Sequence, residues 1–491
     1  MAPESTGFSS PDTRRDLPHS IHFVGIGGIG MSGLAQMFAD LGCTVTGSDR
    51  ALGHPENERI FAALRKCGAR LFPQDGSAYA DGYMPDAIVY STAIEGDNPD
   101  FKLAPPGTRR LHRSEALELG IGALRERFTV AVTGTCGKTT VSAWLADALD
   151  RLGGDPGMLS GGYVKRFLED GAAGNYRGGL GRDFVIEADE SDKSLLNYVP
   201  DTALILNIGT DHYSREELAG VFLAFAASAR SCVVMELAAF KEIGPEKFPA
   251  GKMVLLFSGD PDAPVSYAGR RVLRLNTYRV ADGSAWCAFN GLPEIRLPMP
   301  GRHNALNALA VHTVLTSRGY DPMDALKAVS EFAGVARRFD RAGVMENGAQ
   351  VIDDYAHNVE KLASCIGAAQ ELAPEGRVVT VFQPHGFAPL RFMREALANA
   401  LPSILRPTDE FLFLPVYYAG GTTSFSPTSA EVAATCREAP GVHADAVKVF
   451  EDRLACEKHL KNTVRGGDVV IVAGARDESL SIWAKSLTKH A

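Results

Sequence analysis

The chain has 491 residues, 45% of them apolar, and a formal net charge of −9. This length accommodates about three domains, the acidic balance disfavours nucleic acid or another polyanion as a partner, and no apolar run is long enough to span a bilayer. The eight cysteines are scattered, with no CxxC pair, which fits reduced thiols in a cytoplasmic protein.

Residues 1–18 are polar and rich in Ser, Pro and charge. They lack the apolar core of a signal peptide and predict a disordered leader. A first domain is expected over 19–122. It opens with a strand that runs into Gly25, Gly27, Gly28, Ile29, Gly30 and Gly33, then a helix. The glycines give overlapping matches to a dinucleotide fingerprint. A second strand ends in Ser48-Asp49, about twenty residues on, where a ribose contact belongs. A further strand, Pro85–Tyr90, is followed by Ser91 and Thr92. Hydroxyl residues at a strand end can meet a ligand at the carboxyl edge of a sheet, or simply make a turn.

The second domain is expected over 123–334, and the chain is organised around its opening. The apolar run 128–132 reads as a buried strand, Gly134, Thr135, Cys136 and Gly137 make a tight turn, and Lys138, Thr139 and Thr140 open a helical pattern. Turn amides and a helix N-terminus form a cradle for phosphate. Lys138 would reach the outer phosphates of a nucleoside triphosphate, and Thr139 would help hold Mg²⁺. The usual additional glycine is replaced by Val132, so this is a shortened loop. A glycine-dense stretch, 160–181, reads as mobile. A strand then ends in Glu187, Asp189, Glu190 and Asp192, the place for a second Mg²⁺ ligand. The strand 202–208 leads to His212, which could ligate metal or contact phosphate. Short alternating segments over 265–297 suggest a small antiparallel annex. Asn304 and Asn307 share one face of the helix that follows, where an amide could pair with a purine edge or cap the helix.

A third domain is expected over 335–491. Four apolar strands alternate with helical segments, which is a doubly wound α/β unit. Arg337, Asp354 and His357 lie before or at polar strand ends, and are candidates for a cleft shared with the second domain.

Taken in order, VGIGGIGMSGLA, TGTCGKTT, EADES, DH after a strand, GRHNALNA, RRFD and DDYAH resemble the motifs of the Mur ligase family from about residue 19 to the end. The resemblance implies an α/β fold of three domains: a Rossmann-like N-terminal domain for the UDP-sugar, a P-loop central domain with a parallel sheet and a small antiparallel annex for ATP, and a doubly wound C-terminal domain that helps hold the incoming amino acid. It implies ATP-dependent amide synthesis in peptidoglycan precursor formation, through an acyl phosphate. The acceptor would be UDP-N-acetylmuramate, with ATP and Mg²⁺, and no nucleic acid or membrane as partner. The chain would act as monomer or homodimer. The STAI–DNP stretch and FQPH favour L-alanine as the amine, ahead of a recycled peptide or another amine.

Carried over by position, the resemblance implies that Lys138 is the phosphate-loop lysine, with Gly134, Thr135, Gly137, Thr139 and Thr140 around the nucleotide. Glu187 and His212 would attend the second metal. Asn304 would lie beside adenine, Arg337 and Asp354 in the nucleotide cleft, and His357 would be the catalytic-cleft histidine. Gly27, Gly28, Ile29, Gly30, Ser48, Asp49, Ser91, Thr92 and His212 would face the UDP-sugar. Three departures stand out. Cys136 occupies a usual histidine position. DDYGHHP becomes Asp353-Asp-Tyr-Ala-His-Asn-Val359. FQPHRFTRTR becomes Phe382-Gln-Pro-His-Gly-Phe-Ala-Pro-Leu-Arg391, which removes two arginines expected near the amino acid. A nicotinamide dehydrogenase would use the first glycine motif but leave the GKTT loop and EADES unexplained. A catalytically inactive nucleotide-binding relative would keep both.

Overall fold

The computed structural model describes residues 17–124, 126–168, 171–209, 213–248, 251–281, 283–418 and 425–489. Apart from Leu17 and Pro18, the expected leader lies outside the described residues. The chain forms two compact units, one of residues 1–276, 289–293 and 306–333, the other of 277–288, 294–305 and 334–491.

The first unit holds two sheets. One is formed by β1 (Ser20–Val24), β2 (Thr44–Asp49), β3 (Arg70–Pro73), β4 (Ala87–Tyr90) and β5 (Arg109–His112), all parallel, in the order β3-β2-β1-β4-β5. Helix α1 (Ile29–Asp40) follows β1, and α2 (Glu58–Lys66), α3 (Pro99–Lys102) and α4 (Arg113–Ala123) complete the layer. The strand order reverses between β1 and β4. In an open α/β sheet this is where a crevice forms at the carboxyl edge. The glycine turn after β1 and Ser91-Thr92 after β4 border it.

The second sheet contains β6 (Phe128–Thr133), β7 (Gly157–Leu159), β8 (Tyr176–Arg177), β9 (Asp183–Glu187), β10 (Thr202–Ile205), β11 (Cys232–Glu236) and β12 (Met253–Ser258), in the order β8-β7-β9-β6-β10-β11-β12. All pairs are parallel except β7 with β8. Both faces are covered, so the strands read as continuous apolar runs rather than alternating ones. The order reverses at β6, between β9 and β10. Helix α5 (Lys138–Arg151) leaves the end of β6. It is buried along most of its length, anchored by Trp144, whose ring stacks on Phe332 at 4.7 Å and whose Nε1 donates to the Val329 carbonyl at 2.9 Å.

In the stretch 160–181, which reads as mobile in the sequence, residues 175, 178 and 179 are tied down. The Arg127 guanidinium donates to the carbonyls of Gly178 (2.6 Å) and Gly179. Buried Asn175 donates from Nδ2 to the Ile29 carbonyl (2.7 Å) and Ser32 Oγ (2.9 Å). The glycines serve tight packing: a Cβ on Gly181 would stand 1.8 Å from the Gly154 oxygen.

The second unit contains an antiparallel pair, Ala285–Cys287 with Ile295–Leu297, which bears out the expected annex. Its main sheet runs in the order Asp340–Val344, Gln350–Asp354, Val469–Gly474, Val378–Gln383, Glu410–Phe413 and Val447–Val449. Only the first pair is antiparallel. Val351, Val379, Val381, Leu412, Val470 and Val472 form the core of this sheet with Leu460 and Leu480 from flanking helices. Among the described residues no helix is long and apolar enough to cross a membrane.

Candidate active site

The phosphate-loop segment is shaped by backbone that only glycine takes easily. Gly134 has φ 138° and Gly137 φ 91°, both in the region where a side chain is strained. Space forbids a side chain as well. A Cβ on Gly134 would lie 3.1 Å from the Asn207 nitrogen, and one on Gly137 would lie 3.0 Å from Asn307 Oδ1. Asn207, just after β10, clamps the turn: its Oδ1 accepts from Cys136 N and its Nδ2 donates to Cys136 O, both at 2.9 Å. Thr135 Oγ1 accepts from Gly209 N at 2.8 Å. The turn is thus held through the backbone of residue 136, and the cysteine side chain is not needed for its shape. Sequence reasoning missed Asn207. Its signal was a lone amide at the end of an apolar strand.

Lys138 and Thr139 open α5 and face the end of β9. Lys138 Nζ donates to the Gly134 carbonyl at 2.9 Å and to Glu190 Oε2 at 2.6 Å, with Asp189 Oδ1 at 4.0 Å. Burial opposes its charge, but the carboxylates of Glu190, Asp189 and Glu187 outweigh that, and its pKa is raised. Thr139 Oγ1 donates to Glu187 Oε1 at 3.0 Å, while Glu187 Oε2 accepts from Gly161 N at 2.9 Å. The four acids of this segment therefore divide. Asp189 accepts from Ser191 N and Asp192 from Ser194 N, both capping their own turns, while Glu187 and Glu190 face the loop. Among the described residues no group of three or more His, Cys, Asp or Glu could hold a metal alone. A hydroxyl and a carboxylate side by side fit Mg²⁺, which takes one or two carboxylates and fills its remaining positions with phosphate and water oxygens. Thr210, Asp211 and His212 lie outside the described residues.

In the crevice after β1, Gly27 N donates to Asp49 Oδ2 at 2.7 Å, and Asp49 Oδ1 accepts from Ala51 N at 2.8 Å. Helix α1 begins at Ile29 without a side-chain cap on Gly28. Arg113 lies over this N-terminus, so close that a Cβ on Gly30 would come within 2.8 Å of its Nη1. A guanidinium beside the positive end of a helix makes an anion site. The structure places Arg113 at the crevice. Ser48 is completely buried and donates to Asp100 Oδ2. It supports the turn from inside. Ser91 is half-buried and Thr92 exposed at the opposite lip.

In the second unit, Arg337 adopts φ 60° and is buried. It donates to the Gly474 carbonyl (2.8 Å) and to Glu478 Oε1 (3.1 Å). Asp354 accepts from Phe339 N (2.6 Å) and Ala356 N (2.7 Å). Both shape the loop that carries His357. The His357 ring meets Tyr355 O through Nδ1 at 2.9 Å. Burial, then the charge of Lys361, pushes its pKa down to about 3, so the imidazole is neutral at physiological pH. The Nδ1–H donates and Nε2 keeps its lone pair. Asn304 donates to its own helix start, Pro300 O, at 2.6 Å.

Asn358, one of the departures from the expected motif, caps the helix Val359–Leu372 by accepting from Lys361 N at 3.0 Å. Asn358→Ala is expected to cost about 1 kcal/mol in a urea titration. No loss of stability would show that the cap is not needed.

Comparison with known proteins gives the same reading along the whole chain. The Mur ligase family catalytic domain matches residues 20–119, the Mur ligase middle domain 132–315, and the Mur ligase glutamate ligase domain 337–476. The chain is 36% identical over 476 residues to UDP-N-acetylmuramate–L-alanine ligase of Kineococcus radiotolerans, covering 93% of both chains. It is 32% identical over 499 residues to the enzyme of that name from Caulobacter vibrioides, covering 96% of this chain and 97% of that one. The crystal structure of UDP-N-acetylmuramate–alanine ligase from Thermotoga maritima superposes with a TM-score of 0.74 at 28% identity, over 95% of this chain and 98% of that one.

Proposed function

The chain belongs to the Mur ligase family, and from that premise we propose that it joins L-alanine to the carboxylate of UDP-N-acetylmuramate, converting ATP to ADP and phosphate. The observation that carries this reading is the constellation of Lys138, Thr139 and Glu187 around the Gly134–Gly137 turn, in a chain whose full-length relatives bear that activity in their names.

A carboxylate is a poor electrophile, so it is first phosphorylated. Transfer of the γ-phosphoryl group needs positioning and charge neutralisation more than covalent help from the protein. The amides of the turn and the start of α5 orient the phosphates. Lys138 exchanges the Glu190 carboxylate for phosphate oxygens and neutralises the charge that builds on them. Thr139 and Glu187 would hold Mg²⁺, which would supply positive charge to the phosphate oxygens. The helix α1 N-terminus and Arg113 take the pyrophosphate of the UDP-sugar, with Asp49 fixing the glycine turn. The amine of L-alanine then attacks the acyl phosphate, phosphate leaves, and an amide remains. Neutral His357 accepts a hydrogen bond from that amine and orients it. Arg337 and Asp354 act by shaping the loop beneath His357.

The test is phosphate release from ATP and Mg²⁺, measured with UDP-N-acetylmuramate and a scan of single amino acids and short peptides. Release that requires both the sugar and L-alanine is expected. Release with a different amine would replace L-alanine as the amine substrate, and no release with any amine despite ATP binding would overturn the ligase reading.

A further inference from the structure

The two sheets of the first unit meet at helix α1. Gly28, Gly30 and Gly33 have the spacing of a dinucleotide fingerprint, whose last glycine ordinarily allows the helix to pack closely on its own sheet. Here the neighbours of Gly33 come from the other sheet. A Cβ on it would lie 2.5 Å from Leu159 Cδ1, at the end of β7, and 3.3 Å from Asn175 Nδ2. Asn175 is completely buried. Its Nδ2 donates twice to the first turn of α1, at the Ile29 carbonyl (2.7 Å) and Ser32 Oγ (2.9 Å), while its Oδ1 accepts from Gln36 Nε2 at 3.4 Å. The carbonyls of a first helical turn already have partners within the helix. The Asn175 bond to Ile29 therefore does not complete α1 but fixes where α1 stands.

The backbone of Asn175 leads on to Glu187. Its carbonyl accepts from Ser160 N at 2.9 Å, extending the pairing of β7 with β8. The next residue, Gly161, donates from N to Glu187 Oε2 at 2.9 Å, and Glu187 Oε1 accepts from Thr139. A second tie stands at α4. Asn197 Nδ2 donates to Ser114 Oγ at 3.1 Å, in the first turn of α4 beside Arg113. Asn197 ends the short turn Ser194–Asn197, where Leu195 N and Ser194 Oγ donate to the Asp189 carbonyl at 3.2 and 3.3 Å. Asp189 Oδ1 is 4.0 Å from Lys138 Nζ. Burial opposes the charge of Asp189, but Lys138, Ser191 and Arg113 outweigh it and lower its pKa. Arg113 therefore acts electrostatically on both sides of this seam.

Each of these two helices is thus held at its first turn by an asparagine of the other sheet, and each asparagine is joined through backbone bonds to an acid beside Lys138 or Thr139. We propose that Asn175 and Asn197 are positioning residues for phosphoryl transfer. They fix the N-termini of α1 and α4, on the sugar-nucleotide side, relative to the phosphate loop. This rests on the ligase reading above. In the step concerned, a carboxylate oxygen of the sugar bonds to the γ-phosphorus as the bond to the β–γ bridging oxygen breaks and ADP leaves. The two reactants are held by different sheets, so only the seam sets the distance between them. A displacement of about 1 Å there costs about 10²-fold in rate, while each ligand keeps its own contacts.

The test uses the full chain with ATP, Mg²⁺, UDP-N-acetylmuramate and L-alanine. Asn175→Ala, and the isosteric Asn175→Asp, which removes the donors and keeps the volume, should each lower kcat for phosphate release about 10- to 100-fold. Asn197→Ala, which loses one longer bond, should lower it about 3- to 10-fold. Calorimetric titrations with ATP and Mg²⁺ alone, and with UDP-N-acetylmuramate alone, should give full stoichiometry and Kd values within about threefold of wild type. Gly33→Ala presses on the same seam from the other side and should lower kcat about tenfold. Adding Leu159→Val, which lacks the Cδ1 that the new methyl meets, should return most of that loss, although it removes a further core methylene. Tyr176→Phe breaks the 2.9 Å bond from Tyr176 to Asp40 at the far end of α1, and should leave kcat within about twofold. Wild-type kcat in both Asn175 variants, a loss matched by lost binding stoichiometry, or an equal loss in Tyr176→Phe would each overturn the proposal. No turnover by the wild type with any amine would instead overturn the ligase reading.

Discussion

Lys138→Met is expected to lower phosphate release by about 10³-fold or more, with UDP-N-acetylmuramate binding unchanged in a calorimetric titration. The ammonium is hydrogen-bonded within the phosphate turn, 2.9 Å from the Gly134 carbonyl, and nothing in methionine replaces its charge as the phosphoryl group leaves. The crevice proposed for the sugar nucleotide is bordered by β1, α1 and Arg113, and does not include this side chain. The substitution also has a structural consequence. Glu190 is buried and loses its partner at 2.6 Å. Burial already raises its pKa, so the acid can escape part of the penalty by taking a proton. Urea titration should show a loss of roughly 1–3 kcal/mol. Adding Glu190→Gln removes the orphaned acid, and should return stability without returning turnover. That double variant separates a chemical role from a folding role. Turnover within tenfold of wild type in Lys138→Met would show that this turn is not where phosphate transfer occurs.

Much of this arrangement is legible in the sequence because backbone and burial dictate it. The glycines at 134 and 137 are required by φ, and the apolar runs of β6, β9 and β10 are required by a sheet covered on both faces. A run that ends abruptly in Glu187 or Asn207 marks the carboxyl edge where ligands bind. Other features depend on partners far along the chain. The glycines of 160–181 look flexible until Arg127 is seen on two of their carbonyls and Asn175 on helix α1. Ser48 looks like a ligand contact, yet Asp100, fifty-two residues away, turns it inward. Tyr355 and Arg476 are separated by more than a hundred residues and meet only because Val469–Gly474 pairs with the earlier strand Gln350–Asp354. Pattern reports which face is buried and where a strand stops. It does not report which distant side chain waits at that end.

Glu187 is the second residue whose loss should be severe, and the argument turns on the difference between an acid and its amide. One oxygen accepts from Thr139 and the other from Gly161 N. Glutamine keeps one acceptor for Gly161 N and can donate its NH₂ to the Thr139 hydroxyl, which accepts as well as donates, so Glu187→Gln keeps the local geometry and removes the charge. We expect kcat/KM for ATP to fall about 10²-fold or more and half-saturation by Mg²⁺ to move up about tenfold. Thr139→Val keeps the shape and removes only a neutral ligand, so a loss of about tenfold is expected. Asp192→Asn is the control, because Asp192 caps its own turn at Ser194 N and should leave the Mg²⁺ dependence alone. A Gly161→Ala variant approaches the same carboxylate from outside, since its Cβ would lie 2.6 Å from Glu187 Oε2. It should shift the Mg²⁺ dependence in the same direction without changing any charge. If Glu187→Gln left that dependence unchanged and Asp189→Asn moved it, the metal would be held by Asp189, and the pairing of Thr139 with Glu187 would be structural.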